Sequence, residues 1–351
     1  MATIYDVAKL AGVSPKTVSR VLNGDAPVNA RTREAVTKAI TTLGYVPSQA
    51  ARMMRSNRSG LIGLITGAIS QAPEPAMPSG LPDLYIVQGV QREMAEHGKI
   101  LMIADTGGTS EAVPLLARTF AQHRVEGLIY VADHHSEVDI DLGNADCPVI
   151  LVNCFDTAAT PCVLPDDRTG GRELVERLLQ TGHERIGFLT LDPAMPAARL
   201  RLEGYMAAHR AAGVNPDPAL VVQGFVEGAD KTGDVLEKAL GQLLSLPVPP
   251  TVICCGNDEM AMRVYGLLRS RGLRVPEDIS VAGYDDHRAI SEMLYPQLTT
   301  VELPYTQMGR QAARDMLEMI GGKTPTSSGP SLVRGPVVWR SSVTARNSVQ
   351  T

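Results

Sequence analysis

Lys16, Thr17, Ser19, Arg20 and Asn23 are spaced to share one short, polar, basic face, and the chemistry open to such a face is hydrogen bonding to nucleic acid. Arg20 can give two parallel donors to guanine O6 and N7, whereas Lys16 offers a point charge with less selectivity. Hydroxyl and amide groups beside them suit phosphate oxygens, which fix register without reading sequence.

Such a face must be carried on a helix held at a set angle by another. Ile4, Val7, Ala8 and Ala11 recur at helical spacing and form one apolar stripe. Gly12 is placed to leave that helix with positive φ, Ser14 to cap a second, and Pro15 to occupy its first position, where a missing N–H costs nothing. Val18, Val21 and Leu22 then point inward. The pattern is a helix-turn-helix whose second helix enters the DNA major groove. A third helix fits residues 30–43, capped by Asn29, with Ala35, Val36, Ala39, Ile40 and Leu43 inward and Gly44 at its end. After Pro47 comes a two-turn segment, Ser-Gln-Ala-Ala-Arg-Met-Met-Arg, too short to persist as an isolated helix. Residues 57–60 read as a linker.

An ordinary amphipathic hairpin would show the same stripes, and charge separates the two readings. Residues 1–60 carry nine Lys/Arg against three Asp/Glu, a net of +6, in a chain of net −5, so residues 61–351 carry −11. A basic head on an acidic body suits phosphate binding by one end. With 351 residues, 44% of them hydrophobic, there is material for this head and two further domains. No apolar run approaches the ~18 residues of a membrane span, and no signal peptide precedes Thr3, so a cytoplasmic protein without a membrane partner is expected. The five cysteines, 147, 154, 162, 254 and 255, form no CxxC pair and read as buried free thiols rather than a zinc site. The histidines form no HExxH, and there is no Gly-x-Ser-x-Gly elbow. No catalytic residue, metal or cofactor is therefore expected. His134-His135 could attract a metal, but a solvated loop is the reading preferred.

From residue 61 the pattern alternates. Buried-strand runs occur at 61–66, 100–105, 127–132, 149–153, 185–190, 220–225, 251–255 and 279–284, with helical stretches between most of them at 84–97, 172–181, 202–212, 233–244, 259–271 and 305–319. Repeated βα units argue for parallel sheets with helices on both faces. About 280 residues exceed one such sheet, so two lobes facing across a cleft are expected. The fold class is then an N-terminal all-α helix-turn-helix head plus an α/β body of two doubly wound parallel-sheet lobes. Functional side chains belong just beyond the carboxyl ends of the strands.

With these elements in view, the chain resembles the LacI/GalR family of bacterial transcription regulators over essentially its whole length. The motifs that carry the resemblance begin with Tyr5-Asp6-Val7-Ala8, Ala11-Gly12-Val13-Ser14, Thr17-Val18-Ser19-Arg20-Val21-Leu22-Asn23, Thr32-Arg33 and Leu43-Gly44-Tyr45-Val46-Pro47. In the body they are Asp166…Gly170-Gly171, Gly182-His183, Arg201…Gly204-Tyr205, Asn257-Asp258, Gly283-Tyr284-Asp285-Asp286 and Val338-Trp339-Arg340-Ser341-Ser342. Residues 71–82 depart from the family by being long and Pro-rich, and Met54 stands where a Leu is common. No leucine heptads follow residue 342, so tetramerisation through a terminal coil is not implied.

The resemblance implies a periplasmic-binding-protein-like body and a homodimer reading a pseudo-palindromic operator in double-stranded DNA. Residues 1–46 would be the DNA-binding head, 47–60 the hinge helix and linker, 61–342 the effector-binding body and 343–351 a tail. One lobe would comprise 61–155 and 288–320, the other 156–287 and 321–342. Pro15, Lys16 and Arg20 would face base edges, with Thr3, Tyr5, Ser14, Thr17, Ser19, Asn23, Asn29 and Thr32 as phosphate anchors. Met54 would wedge into the minor groove, with Arg52 or Arg55 near phosphates. A small sugar-like effector would lie between the lobes on Asp156, Arg201, Asn257 and Asp285, with Phe225 stacking on it and Ser70, Tyr85 and Asp133 opposite. Carboxylates accept from hydroxyls, and an arginine fork spans two adjacent oxygens. Asp167, Asp258 and Asp286 would be caps or surface charges and Trp339 packing. The function implied is a repressor whose operator affinity the effector lowers. A corepressor-type member with a purine-like ligand, an activator and a plain sugar-binding protein stand as alternatives.

Overall fold

Thr3 starts the first helix by a reciprocal cap: its hydroxyl accepts from the Asp6 amide at 3.4 Å, and Asp6 Oδ2 accepts from the Thr3 amide at 2.8 Å. Helix α1 (Ile4–Ala11) ends at Gly12, whose φ of 65° a side chain would oppose. Ser14 Oγ then accepts from the Thr17 amide at 3.2 Å and opens α2 (Pro15–Asn23), and Asn29 Oδ1 accepts from the Thr32 amide at 2.7 Å and opens α3 (Ala30–Leu43). Val7, Ala8, Val18, Val36 and Ala39 form the head's core, with Ile4, Ala11, Val21, Leu22, Ile40 and Leu43 packed on it. The structure is a computed structural model and describes residues 2–24, 28–46, 58–67, 82–107, 109–142, 146–226, 234–323 and 329–346. Contacts divide the chain between Gly60 and Leu61 into two units.

The second unit begins with β1 (Leu61–Thr66), α4 (Pro82–Glu96), β2 (Ile100–Asp105), α5 (Val113–Gln122), β3 (Leu128–Glu137), β4 (Val149–Phe155) and β5 (Cys162–Pro165). There follow α6 (Asp167–Gln180), β6 (Ile186–Thr190), α7 (Pro196–Ala211), β7 (Val221–Gln223), α8 (Asp234–Leu244), β8 (Val252–Cys255), α9 (Asp258–Ser270) and β9 (Ser280–Ala282). The chain closes with α10 (Arg288–Ser291), β10 (Thr300–Val301), α11 (Tyr305–Ile320), β11 (Ser331–Val333) and β12 (Val337–Val338).

Two parallel sheets result, of order β11-β5-β4-β3-β1-β2 and β7-β6-β8-β9, with β10 and β12 as a short antiparallel ribbon. On the six-stranded sheet, Ile62, Leu64, Ile129 and Val152 pack under α4 and α11, while Ile65 and Leu128 pack under α5 with Val113 and Phe120. Helices α4 and α11 lie close because each has a glycine at the crossing. A Cβ on Gly309 would stand 2.1 Å from the Ile86 carbonyl oxygen, and one on Gly89 would stand 2.2 Å from that of Thr306. In the four-stranded lobe, two clusters cover the faces: Leu189, Ile253 and Val281 under α8 and α9, and Ile186, Phe188 and Val252 under α6 and α7.

The lobe boundaries differ from those expected. Residues 162–165 pair with β4, so the first lobe continues to Pro165 rather than ending at residue 155. Residues 331–333 pair with β5, so they too belong to the first lobe and not to the second. The second lobe in turn keeps residues 288–304, because Thr299 bridges to Ala282 and Val301 lies in that lobe's core. Strands of two to four residues show no usable periodicity, and the open sheet edge decides where they go.

Candidate functional site

The exposed side of α2 presents Lys16 and Arg20, with Pro15 and Thr17 half-buried at its start. Thr3, Ser14 and Asn29 are exposed, and Tyr5 is 71% exposed. Their caps leave the hydroxyls and amide at the surface, so capping and phosphate contact are compatible at these positions. Hydrogen bonds from Thr3 lower the Asp6 carboxyl from its ordinary value. Ser19 corrects the expectation of a phosphate anchor. It is 6% exposed, next in sequence to Val18 of the head's core. Arg52, Met54 and Ser70 lie outside the described residues, as does the side chain of Asn23.

In the body a cleft of about 740 Å³ opens beyond the strand ends, bordered by residues of both lobes. Arg201 of α7 is its organising cation and is 6% exposed. Its Nε donates to Asp167 Oδ1 at 2.8 Å, one terminal nitrogen donates to the Gly256 carbonyl, and the guanidinium lies 3.7 Å from the Tyr284 ring centroid. Burial works against its charge, but Asp167, Tyr284 and Asp285 hold it protonated. Two of its five N–H donors are taken by these bonds, and Arg201 borders the cleft.

Asp285 stands 3.8 Å from Arg201 on a backbone with φ 126°. Such a conformation is strained in a residue with a side chain, and it persists only when neighbours over-determine it. They do so here: the Asp285 amide donates to the Val301 carbonyl at 2.8 Å, and its carbonyl accepts from the Leu303 amide at 3.0 Å. Next to it Asp286 pairs with Arg340 at 2.7 Å, while Asp258 accepts from Thr300 Oγ1 at 2.6 Å and from the His287 amide at 2.9 Å. Burial pushes the Asp285 carboxyl up to about 7, against the pull of Arg201, and burial with the nearby Asp285 raises Asp258 as well. Asn257 caps α9 through the Met260 amide at 2.8 Å and borders the cleft, as do Phe225, Tyr85 and Asp133.

Some expectations are corrected. Asp156 is absent from the cleft border, and its carboxylate is turned to Thr160, accepting from its amide at 3.0 Å and its hydroxyl at 2.6 Å. It closes the β4–β5 turn. Asp167 and Asp258 are structural but fully buried, so neither is a surface charge. His134-His135 is not a solvated loop. Strand β3 continues to Glu137 through a register shift between Val131 and Ser136, which turns Asp133, His134 and His135 to the cleft. His135 is buried, and its Nδ1 lies 2.9 Å from Asp167 Oδ2. Trp339 packs on the second lobe's core with Arg177 4.4 Å over its ring.

Asn153 is a residue the sequence reading passes over. It borders the cleft from within β4 with φ 62°, is 1% exposed, and its Nδ2 donates to the Ala132 carbonyl at 3.2 Å. Its place as the last residue of an expected strand was the available signal, since groups beyond strand ends face the crevice. Among the described residues no group of three or more His, Cys, Asp or Glu is arranged to hold a metal ion, and no helix is long and apolar enough to cross a membrane.

Residues 3–48 match the model of bacterial regulatory proteins of the lacI family, and residues 175–343 that of a periplasmic binding protein-like domain. The chain is 34% identical over 325 residues to the HTH-type transcriptional repressor PurR of Haemophilus influenzae (strain PittEE), covering 92% of each chain. It is 34% identical over 327 residues to the ribose operon repressor of Escherichia coli (strain K12), covering 91% of this chain and 93% of that one. The lac repressor dimer bound to operator and the anti-inducer ONPF superposes with a TM-score of 0.75 at 28% identity, over 98% of this chain and 99% of the other. The complex of the transcriptional regulator CelR with cellobiose gives 0.62 at 31% identity, over 97% and 100%.

Proposed function

The chain belongs to the LacI family of bacterial regulatory proteins, and we propose from that premise that it is a sequence-specific operator-binding repressor released by a sugar bound between its lobes. It acts as a homodimer in the cytoplasm, each α2 reading one half of a pseudo-palindromic operator. Pro15, Lys16 and Arg20 face base edges, and Thr3, Tyr5, Ser14, Thr17, Asn29 and Thr32 anchor phosphates. The edge strand β2, which exposes Ile100 and Ile103 at 53% and 42%, supports pairing of two copies through the first lobe.

The observation that carries the effector reading is the donor and acceptor set of the cleft. Arg201, Asn257 and Asp285 stand on one wall, Asn153 and Asp133 on the other, with Phe225 and Tyr85 to lie against a sugar face. A polyol presents adjacent hydroxyls that both donate and accept, which this set meets without any bound cation or anion. Ligand binding across the cleft changes the relation between the lobes. An effector shifts operator affinity only through its preference for one arrangement, and a coupling of about 1–3 kcal/mol, or 5–150-fold, is the expected scale.

The test is titration of operator binding with a sugar panel that includes ribose and cellobiose, in the wild type and in Arg201→Met and Asp285→Ala. Both variants should bind operator and resist release. Undiminished release would place the ligand elsewhere, and tightening of operator binding by the ligand would make the protein corepressor-dependent. Sedimentation without DNA should give a dimer, and a stable tetramer would contradict the assembly.

A further inference from the structure

The contact of His135 with Asp167 joins the two lobes at buried side chains. His135 lies on β3 in the six-stranded lobe, and its ring meets Phe155 of β4 edge-on, with centroids 6.0 Å apart. Asp167 is the first residue of α6, two positions after Pro165, where the chain passes into the other lobe. One carboxylate oxygen accepts from His135 Nδ1 at 2.9 Å and the other from Arg201 Nε at 2.8 Å. Asp167 is fully buried, and His135 and Arg201 are 7% and 6% exposed, so water does not readily replace either bond.

We propose that His135 is a positioning residue that makes the orientation of Arg201 depend on how the lobes stand to each other. It rests on the effector reading of the cleft. A hydrogen bond loses most of its strength over a few tenths of an ångström or a modest change of angle. A carboxylate held by one oxygen from each lobe therefore cannot keep both bonds through a rotation at the crossover. When the lobes turn, Asp167 stays with Arg201 in the second lobe and loses His135, so the carboxylate that anchors Arg201 is freed to reorient, or is fixed again, as the ligand binds. By reciprocity, a ligand on Arg201 biases the lobe arrangement through Asp167 and His135. His135 needs no contact with the ligand for this.

The test compares full-length wild type with His135→Leu, which fills similar space without a donor, and His135→Asn, whose amide nitrogen can reach the place of Nδ1. The reading is the ratio of operator affinities without and with sugar, using ribose and cellobiose as probes. His135→Leu should lose at least fivefold of the wild-type ratio, and His135→Asn should regain most of it. A wild-type ratio in His135→Leu overturns the proposal, as does an asparagine variant no better than leucine. A wild type that answers to neither sugar counts against the effector reading alone, and a ligand-free double-mutant cycle then decides the role of His135. His135→Leu, or His135→Met if the leucine variant does not fold, is combined with Arg201→Met, and unfolding constants are measured in urea. Asp167 lies between the two residues, each on one of its oxygens, whereas independent sites would be additive to roughly twofold. Coupling of fivefold or more supports the relay through Asp167, and additivity overturns it.

Discussion

Replacing Asp167 by alanine should destabilise the body by about 3–5 kcal/mol, the cost of removing one partner from a buried ion pair. The carboxylate is fully buried and satisfies Arg201 at 2.8 Å and His135 at 2.9 Å. Without it, Arg201 keeps its charge in a site 6% exposed, with the Gly256 carbonyl, the Tyr284 face and Asp285 at 3.8 Å as remaining company. Asp285 is a partial replacement, which favours the lower part of the range. A cooperative unit of this size moves by roughly 2–4 °C per kcal/mol, so a drop of about 6–20 °C in melting temperature is expected. Asp167→Asn, which retains shape and one acceptor, should lose less. The pH dependence has a definite sign. Burial would raise the Asp167 carboxyl, but Arg201 and then His135 hold it below its ordinary value. Its contribution is complete above the unfolded value near ~4 and fades as pH falls through the lower folded value. The gap between wild type and Asp167→Ala should therefore be widest at neutral pH and narrow in acid. Thermal and urea unfolding from pH ~3 to 7.5 read both. A neutral-pH gap below about 1 kcal/mol would refute the picture of a desolvated pair, and a gap that did not narrow in acid would refute the linkage.

Further perturbations probe other levels. Arg20→Ala should cost about 1–3 kcal/mol at the operator and relax base choice at one position; an equal loss on scrambled DNA would make Arg20 a phosphate contact. Gly309→Ala places a methyl 2.1 Å from the Ile86 carbonyl oxygen, so α4 and α11 must part at a cost of about 1–3 kcal/mol, and an unchanged melting temperature would show that they do not cross so closely. His209 is fully buried against Tyr205, and burial depresses its imidazole below the ordinary value. The unfolded chain then takes the proton first, so stability should be complete above pH ~6.5 and decline below it. His183 shifts in the same direction, so His209→Gln should reduce that decline in urea midpoints at pH ~5 and ~7 rather than abolish it; an unaltered decline would exclude His209 as a source.

The head was legible from sequence because its determinants are local. Thr3 with Asp6, Ser14 with Thr17 and Asn29 with Thr32 are caps closed over three residues, and the apolar stripes repeat within two turns, so spacing alone defined α1, α2 and α3. The long strand runs and the two-lobed alternation were legible for the same reason, since hydrophobic continuity needs no knowledge of neighbours. Arg201, Asn257, Asp285, Phe225, Tyr85 and Asp133 were named from the family resemblance, and the fold brings all six to one cleft. Tertiary structure alone decided the rest. It turned Asp156 to Thr160, drew Ser19 inward, and assigned the short segments at 162–165 and 331–333 to the first lobe. It also joined His135 to Asp167 across 32 residues and Asp167 to Arg201 across 34. A cap or a stripe is set by the geometry of one helix, whereas a buried charge takes whichever partner the packing of separate elements places within reach, and no spacing along the chain records that distance.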